Sequence, residues 1–202
     1  MFKLQIKYLS FFFGIVSMLS FFNILYSYYF NLYLNLDTYY FTLIASSILF
    51  ITFFKFGKYD IKSNIFQRIL TIFLGYLLIP LILSIPFYFS IYNLTFSNSF
   101  FEAISGFTST GFTVFENIKL VDQSLIIWRS STQWIGGLYF LFSIIYLIDI
   151  YDDSFKKTLT NFISFNSSEI LKQAVKIFIL YSSLTILIFI VLNIFSIRTF
   201  DS

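Results

Sequence analysis

The run TSTGFT, from Thr108 to Thr113, has the composition of an ion-binding loop. A site that removes water from a cation replaces the hydration shell with backbone carbonyls, which favours small or hydroxylated residues and a glycine. We therefore predict that the carbonyls of an ion-selectivity filter are those of Thr108, Ser109, Thr110, Gly111 and Phe112. The alternative is an ordinary external turn. The flanking residues favour the filter.

The preceding residues predict a short helix that enters the membrane without crossing it. Residues 97–107 are too few to span a bilayer, and Glu102 is their one charged residue. Ser99 precedes Glu102 by three residues, the spacing of a capping box that would start the helix on the outer side. The C-terminal end of such a helix carries partial negative charge and would point toward a cation. Irregular backbone at that depth must be buried in protein or line water.

Glu102, Thr113 and Arg129 are the predicted supporting residues of this loop. A cation inside a membrane helix is costly unless it pairs or reaches the headgroups. Arg129 is thus either a brace behind the loop, paired with Glu102, or a side chain that extends to the outer surface. Gly136 and Gly137 either permit close helix approach or form a tolerated pair near a bend.

The composition places these residues in a membrane protein. Of 202 residues, 58% are hydrophobic and 11% are charged, and the mean hydropathy is +0.83. The chain has no Cys and no His, so thiolate and imidazole chemistry are excluded and we predict no enzyme, no catalytic residue and no cofactor. The net charge of +3 comes from residues between apolar windows, where charge sets membrane orientation, so no nucleic-acid partner is predicted.

Apolar windows at 8–30, 38–54, 68–92, 124–148 and 176–197 predict an all-α, polytopic helix bundle with one re-entrant pore helix and filter loop. Lys and Arg number ten on one side of these windows and three on the other, which makes the N-terminus cytoplasmic. The loop then opens toward the outside. Pro80 and Pro86 predict a bend in the third window.

Four domains follow from these windows. They are a two-span hairpin at 1–64, a span, pore-loop and span module at 65–150, a cytoplasmic connector at 151–175, and a last apolar span at 176–202. Asp152 and Asp153 stand among lysines in the connector, and we interpret them as solvated rather than metal-binding.

The pattern FEAxSGFTSTG from Phe101 to Gly111, followed by Trp128-Arg129 and by QWxGG from Gln133 to Gly137, closely resembles the first pore module of the Trk/Ktr/HKT superfamily of potassium transporters. Two spans ahead of that module are similar to the TrkH branch. The chain departs from the family where Leu138 and Tyr139 follow the glycine pair, and Phe112 is bulkier than the usual residue.

The resemblance implies potassium uptake across the bacterial cytoplasmic (inner) membrane by a multi-pass protein in contact with lipid. Members have four modules around one pathway, whereas this sequence has one complete module and is expected to be truncated. The resemblance makes residues 176–202 the first span of an incomplete second module. The remaining modules would come from another chain or from self-assembly. A TrkA-like cytosolic nucleotide-binding regulatory subunit is implied as a partner. The alternative is a nonconducting remnant or a membrane scaffold that associates with intact transporters.

Overall fold

A computed structural model of the protein describes residues 7–57, 65–148 and 170–194. The described residues fold into α-helices joined by short loops, which confirms the all-α class. The helices are α1 (Lys7–Tyr29), α2 (Leu36–Phe56), α3 (Ile65–Leu83), α4 (Ile85–Tyr88), α5 (Phe96–Phe107), α6 (Gln123–Ile148) and α7 (Ile170–Ile194). A single 3₁₀ turn at Ile118–Leu120 precedes α6.

Four of the described helical stretches are long and apolar enough to cross a membrane. They are Lys7–Tyr29, Leu36–Phe56, Phe66–Tyr88 and Ala174–Ile194. The window predicted at 124–148 forms the 26-residue helix α6, whose first half contains Arg129 and Gln133 and which is not among the four. The predicted polytopic helical membrane protein is confirmed.

Helices α1 and α2 form an antiparallel hairpin. Phe13 and Phe53 meet edge to face with ring centroids 5.4 Å apart near one end. The hydroxyls of Tyr28 and Tyr40 lie 3.0 Å apart near the other end. Many large apolar side chains on the outward faces of the hairpin are exposed, as expected where lipid is the solvent.

The third apolar window is a broken helix, as its two prolines predict. Pro80 lies inside α3, and the helix is interrupted at Ser84 before Pro86 enters the first turn of α4. The fully buried indole of Trp128 donates from Nε1 to the carbonyl oxygen of Leu83 over 3.0 Å. This bond satisfies a carbonyl at the interruption and fixes α6 against it.

Two compact units make up the chain, residues 1–147 and 148–202. In the second unit, the described residues from 170 to 194 form α7, whose side chains are mostly apolar and largely exposed around the helix. Residues 170–175, predicted to end the connector, belong to this helix. Most of the predicted connector, with Asp152 and Asp153, lies outside the described residues, and the domain boundaries remain a prediction.

Candidate functional site

Helix α5 has half the length that a membrane crossing needs. Its 12 residues, Phe96–Phe107, extend about 18 Å at 1.5 Å per residue, against a hydrocarbon core of about 30 Å. The predicted capping box is wrong, because the N-cap is Thr95, whose side chain accepts a hydrogen bond from the backbone N–H of Asn98. The hydroxyl of Ser99 instead donates to the carbonyl of Thr95 over 3.0 Å.

Glu102 faces the interior and holds the chain beyond α5. Its side chain is 0% exposed. One carboxylate oxygen, Oε2, accepts from the Thr113 hydroxyl at 3.0 Å and from the Val114 backbone N–H at 2.9 Å. Glu102 therefore fixes the backbone where it leaves the candidate filter loop, which we define as residues 108–113.

Arg129 pairs with Glu102 and also reaches the loop. Its Nε donates to Oε1 of Glu102 over 2.5 Å, and its side chain is 15% exposed. Its Nη2 donates to the carbonyl oxygens of Gly111 at 3.2 Å and Phe112 at 3.4 Å. A buried carboxylate is tolerated when its remaining lone pairs are satisfied, and this arrangement satisfies them. The structure contains the brace contact, and Arg129 does not simply extend to the headgroups.

Ser105 supplies a further contact that sequence reasoning missed. Its hydroxyl donates to the carbonyl of Phe112 over 2.6 Å, and its own carbonyl accepts from the N–H groups of Thr110 and Gly111 at 3.0 and 3.4 Å. Ser105 follows Glu102 by three residues, so both lie on the same face of α5. A second polar residue at that spacing was the available signal.

The backbone of the loop takes up left-handed conformations at two positions. Ser109 has φ of 54° and Gly111 has φ of 85°. Glycine adopts positive φ at little cost, whereas most residues with a Cβ do not. Gly111 thus has a backbone conformation that favours glycine, and its role in a filter stays a prediction.

The five predicted filter carbonyls fall into two groups. Those of Gly111 and Phe112 accept hydrogen bonds from Arg129 or Ser105. Within the described part of the chain, no protein group donates to the carbonyls of Thr108, Ser109 and Thr110. These three residues are exposed, and the hydroxyls of Thr108 and Thr110 lie 2.7 Å apart. The Phe112 side chain is 68% exposed.

Helix α6 lies directly against the C-terminal end of α5. A Cβ at Gly136 would lie 1.8 Å from the carbonyl oxygen of Phe107, and a Cβ at Gly106 would lie 2.1 Å from Oγ1 of Thr132. Both glycines are buried. Of the two interpretations of the glycine pair, close helix approach therefore holds at Gly136.

The fold and this site define a class: a polytopic helical membrane protein in which a half-length helix presents a braced polar loop. Among the described residues, no group of three or more Asp, Glu, His or Cys side chains forms a site for a metal ion.

Sequence comparison relates the chain to known transporters. It is 37% identical over 65 residues to an uncharacterized cation transporter of Methanocaldococcus jannaschii, covering 32% of this chain and 14% of that protein. It is 32% identical over 82 residues to the Trk system potassium uptake protein TrkH of Escherichia coli, covering 40% and 17%. It is 31% identical over 100 residues to TrkG of the same species, covering 45% and 21%.

These matches confirm the resemblance to the Trk superfamily, at modest identity over part of the chain. The chain spans less than a quarter of the length of each of these relatives. No family model matches it, and no solved structure matches it.

Proposed function

We propose that this chain contributes one filter loop to a potassium uptake pathway in the bacterial inner membrane, and that it catalyses no covalent reaction. The observation that carries the proposal is the division of carbonyls in the candidate filter loop. Arg129 and Ser105 hold those of Gly111 and Phe112, while those of residues 108–110 have no protein donor within the described residues. Carbonyls that have no protein donor are suited to replace the water around a potassium ion.

The brace gives these carbonyls a fixed position. An ion-coordinating ring discriminates between ions by the number and field strength of its carbonyl dipoles, which requires that the backbone keep its shape. The buried Glu102–Arg129 pair ties α5, α6 and the exit of the loop together. We therefore narrow the predicted ion-facing carbonyls from residues 108–112 to residues 108–110, and propose that residues 111 and 112 anchor the loop.

The expected orientation has the N-terminus in the cytoplasm, so that the loop opens outward and α5 points its C-terminal end into the membrane. The partial negative charge at that end favours a cation there. Inward movement of potassium would be driven by the membrane potential, which is worth about 2.3 kcal/mol per elementary charge at 100 mV.

One loop provides one quarter of a fourfold carbonyl ring. We propose that the other loops come from another polypeptide, with self-assembly of four copies as the alternative. The family resemblance supports a TrkA-like cytosolic regulatory subunit as a further partner. A nonconducting protein that docks on intact transporters is the second candidate, because a single filter-like loop is present among the described residues.

Potassium-limited growth of an uptake-deficient bacterium tests the proposal. The chain is expressed alone and together with the remaining modules of a Trk transporter, as native protein and as Gly111→Asp. Asn93→Asp is the matched control, since Asn93 is also left-handed, with φ of 49°, but belongs to the loop before α5. Membrane insertion of each variant is verified.

We expect growth with the co-expressed modules for the native chain and Asn93→Asp, and loss of growth for Gly111→Asp. Growth with the native chain alone would indicate self-assembly. Equal growth of native and Gly111→Asp cells would refute the filter, and failure of every inserted variant in both settings would favour the nonconducting protein.

A further inference from the structure

A buried asparagine joins the N-terminal hairpin to two distant segments. Asn35, in the loop between α1 and α2, is 1% exposed. Its Nδ2 donates to Oδ2 of Asp122 over 3.1 Å, and its Oδ1 accepts from the backbone N–H of Ile91 over 3.2 Å. Both ends of this amide are thus used between segments that are far apart in the sequence.

Asp122, which accepts the hydrogen bond from Nδ2 of Asn35, lies at the start of α6. Its carbonyl accepts from the N–H of Leu125 at 2.9 Å, and its carboxylate also accepts from the hydroxyl of Ser124. Its backbone N–H donates to the hydroxyl of Tyr92 over 2.7 Å. A carboxylate at a helix N-terminus is favoured by the helix dipole. The start of α6 is thereby fixed in position by groups outside the helix.

The two hairpin helices complete the arrangement through Ser124, which is fully buried. The hydroxyl of Tyr39, on α2, lies 2.9 Å from Oγ of Ser124. Nδ2 of Asn23, on α1, donates to the Ser124 carbonyl over 3.2 Å. We call Asn23, Asn35, Tyr39, Tyr92, Asp122 and Ser124 the outer polar network.

We propose that the outer polar network makes the N-terminal hairpin a positioning element for the candidate filter loop, with Asn35 as the central positioning residue. Arg129 lies seven residues beyond Asp122, the residue that immediately precedes α6, or about 10 Å along the helix axis. A shift in the start of α6 therefore moves Arg129, which holds Glu102 and the carbonyl of Gly111.

Asn23, Asn35, Tyr39 and Ser124 are buried, and Tyr92 and Asp122 are half-buried, so disrupting the network is costly. A satisfied buried polar network rigidifies the structure around it, and a partly satisfied one is worse than an apolar contact. Asn35→Asp would set a second carboxylate against that of Asp122, which is unfavourable for both. The exchange Asn35→Asp with Asp122→Asn restores one carboxylate and one amide, and leaves an acceptor for Ser124.

The test is the accessibility of a single thiol on α5. The chain has no Cys, so Ser99→Cys introduces its sole thiol. Ser99 is fully buried, and its hydroxyl bonds to Thr95 within the same stretch of chain. The rate of labelling by a bulky maleimide is measured on the full chain in detergent micelles, so that neither membrane orientation nor ion flux affects the reading.

In this background we expect Asn35→Asp to raise the labelling rate at least about fivefold, the scale set by leaving one buried polar group unsatisfied. The exchange variant is expected to return the rate to within about twofold of the parent, by restoring a hydrogen bond between an amide and a carboxylate at positions 35 and 122. Tyr40→Phe is the control, because its hydroxyl pairs with Tyr28 on the exposed side of the same hairpin and lies outside the network.

An unchanged rate in Asn35→Asp overturns the proposal, and so does an exchange variant that labels as fast as Asn35→Asp. If Asn35→Asp does not fold, recovery of folded protein in the exchange variant supports the proposal and its absence overturns it. The inference rests on the proposed function for the role of the loop. If labelling behaves as expected but potassium-limited growth fails, the positioning role is retained and the filter is rejected. If growth succeeds but the labelling rate is unchanged, the filter is retained and the positioning role is rejected.

Discussion

Replacing Arg129 with methionine should be among the most damaging single changes in the braced loop. The substitution keeps an unbranched side chain but removes the guanidinium from Glu102, whose side chain is 0% exposed. The carboxylate then retains two donors, the hydroxyl of Thr113 and the N–H of Val114. Removing one partner of a buried ion pair typically costs about 3–5 kcal/mol, a large part of a net stability of about 5–15 kcal/mol.

Two companion variants separate the energy of the charge pair from that of general packing. Glu102→Gln leaves a guanidinium that is 15% exposed and able to reach water, so we expect a smaller cost of about 1–3 kcal/mol. The double variant should be more stable than Arg129→Met alone, because it leaves no unpaired buried charge. The expected coupling energy of the cycle is about 2 kcal/mol in favour of the pair.

The free energy of unfolding is measured in mixed micelles with increasing denaturing detergent, followed by circular dichroism. A cost below about 0.5 kcal/mol for Arg129→Met, the range of ordinary surface substitutions, would refute the reasoning. A double variant whose cost equals the sum of the two single costs would refute it as well. Reversing the charges at positions 102 and 129 offers an independent check. We expect the double reversal to fold better than either single reversal.

Two further predictions concern α5. Gly136→Ala should cost about 1–3 kcal/mol, because its Cβ would meet the carbonyl of Phe107, whereas Gly14→Ala meets a ring edge at 3.2 Å that moves easily. Thermal unfolding of the two variants checks this, and equal stability would contradict it. Ser105→Ala should cost about 1 kcal/mol by removing the donor to the loop. Ser99→Ala is the control in the same unfolding assay, because the Ser99 hydroxyl does not contact the loop. Equal losses of stability in the two variants would show that the cost of Ser105→Ala does not come from its hydrogen bond to the loop.

The helices were predictable because a chain inside a membrane has few ways to satisfy its backbone hydrogen bonds. An apolar window of about 20 residues must be helical to satisfy its backbone, and the sequence windows match α1, α2, α3 with α4, α6 and α7 within several residues. The interruption at Ser84 also followed from local chemistry, because Pro80 and Pro86 each remove a helix donor.

The start of α5 was not predictable from spacing alone. Thr95 and Ser99 both have N-cap character, and Glu102 three residues after Ser99 favoured the wrong one. The tertiary fold decides between them, because Glu102 is directed to Arg129 and Val114 rather than back to its own helix. A buried carboxylate that pairs with a guanidinium gains more than one that caps an exposed N–H.

Contacts between distant segments could also not be predicted from local sequence patterns. Asn35 and Asp122 are 87 residues apart, and neither stands in a recognisable motif. The division of the loop carbonyls depends likewise on where Arg129 and Ser105 point, which the sequence does not specify. Motif spacing located the candidate filter loop, and the packing of α5 against α6 indicates which of its carbonyls have protein donors.

Uptake of radioactive rubidium, a potassium substitute, is the most direct test of the central claim. It is measured in uptake-deficient cells that co-express this chain with the remaining modules of a Trk transporter. The account predicts uptake with the native chain and with Asn93→Asp, and background uptake with Gly111→Asp at equal membrane abundance. Uptake that is unchanged by Gly111→Asp would contradict the claim that this loop forms part of the ion pathway.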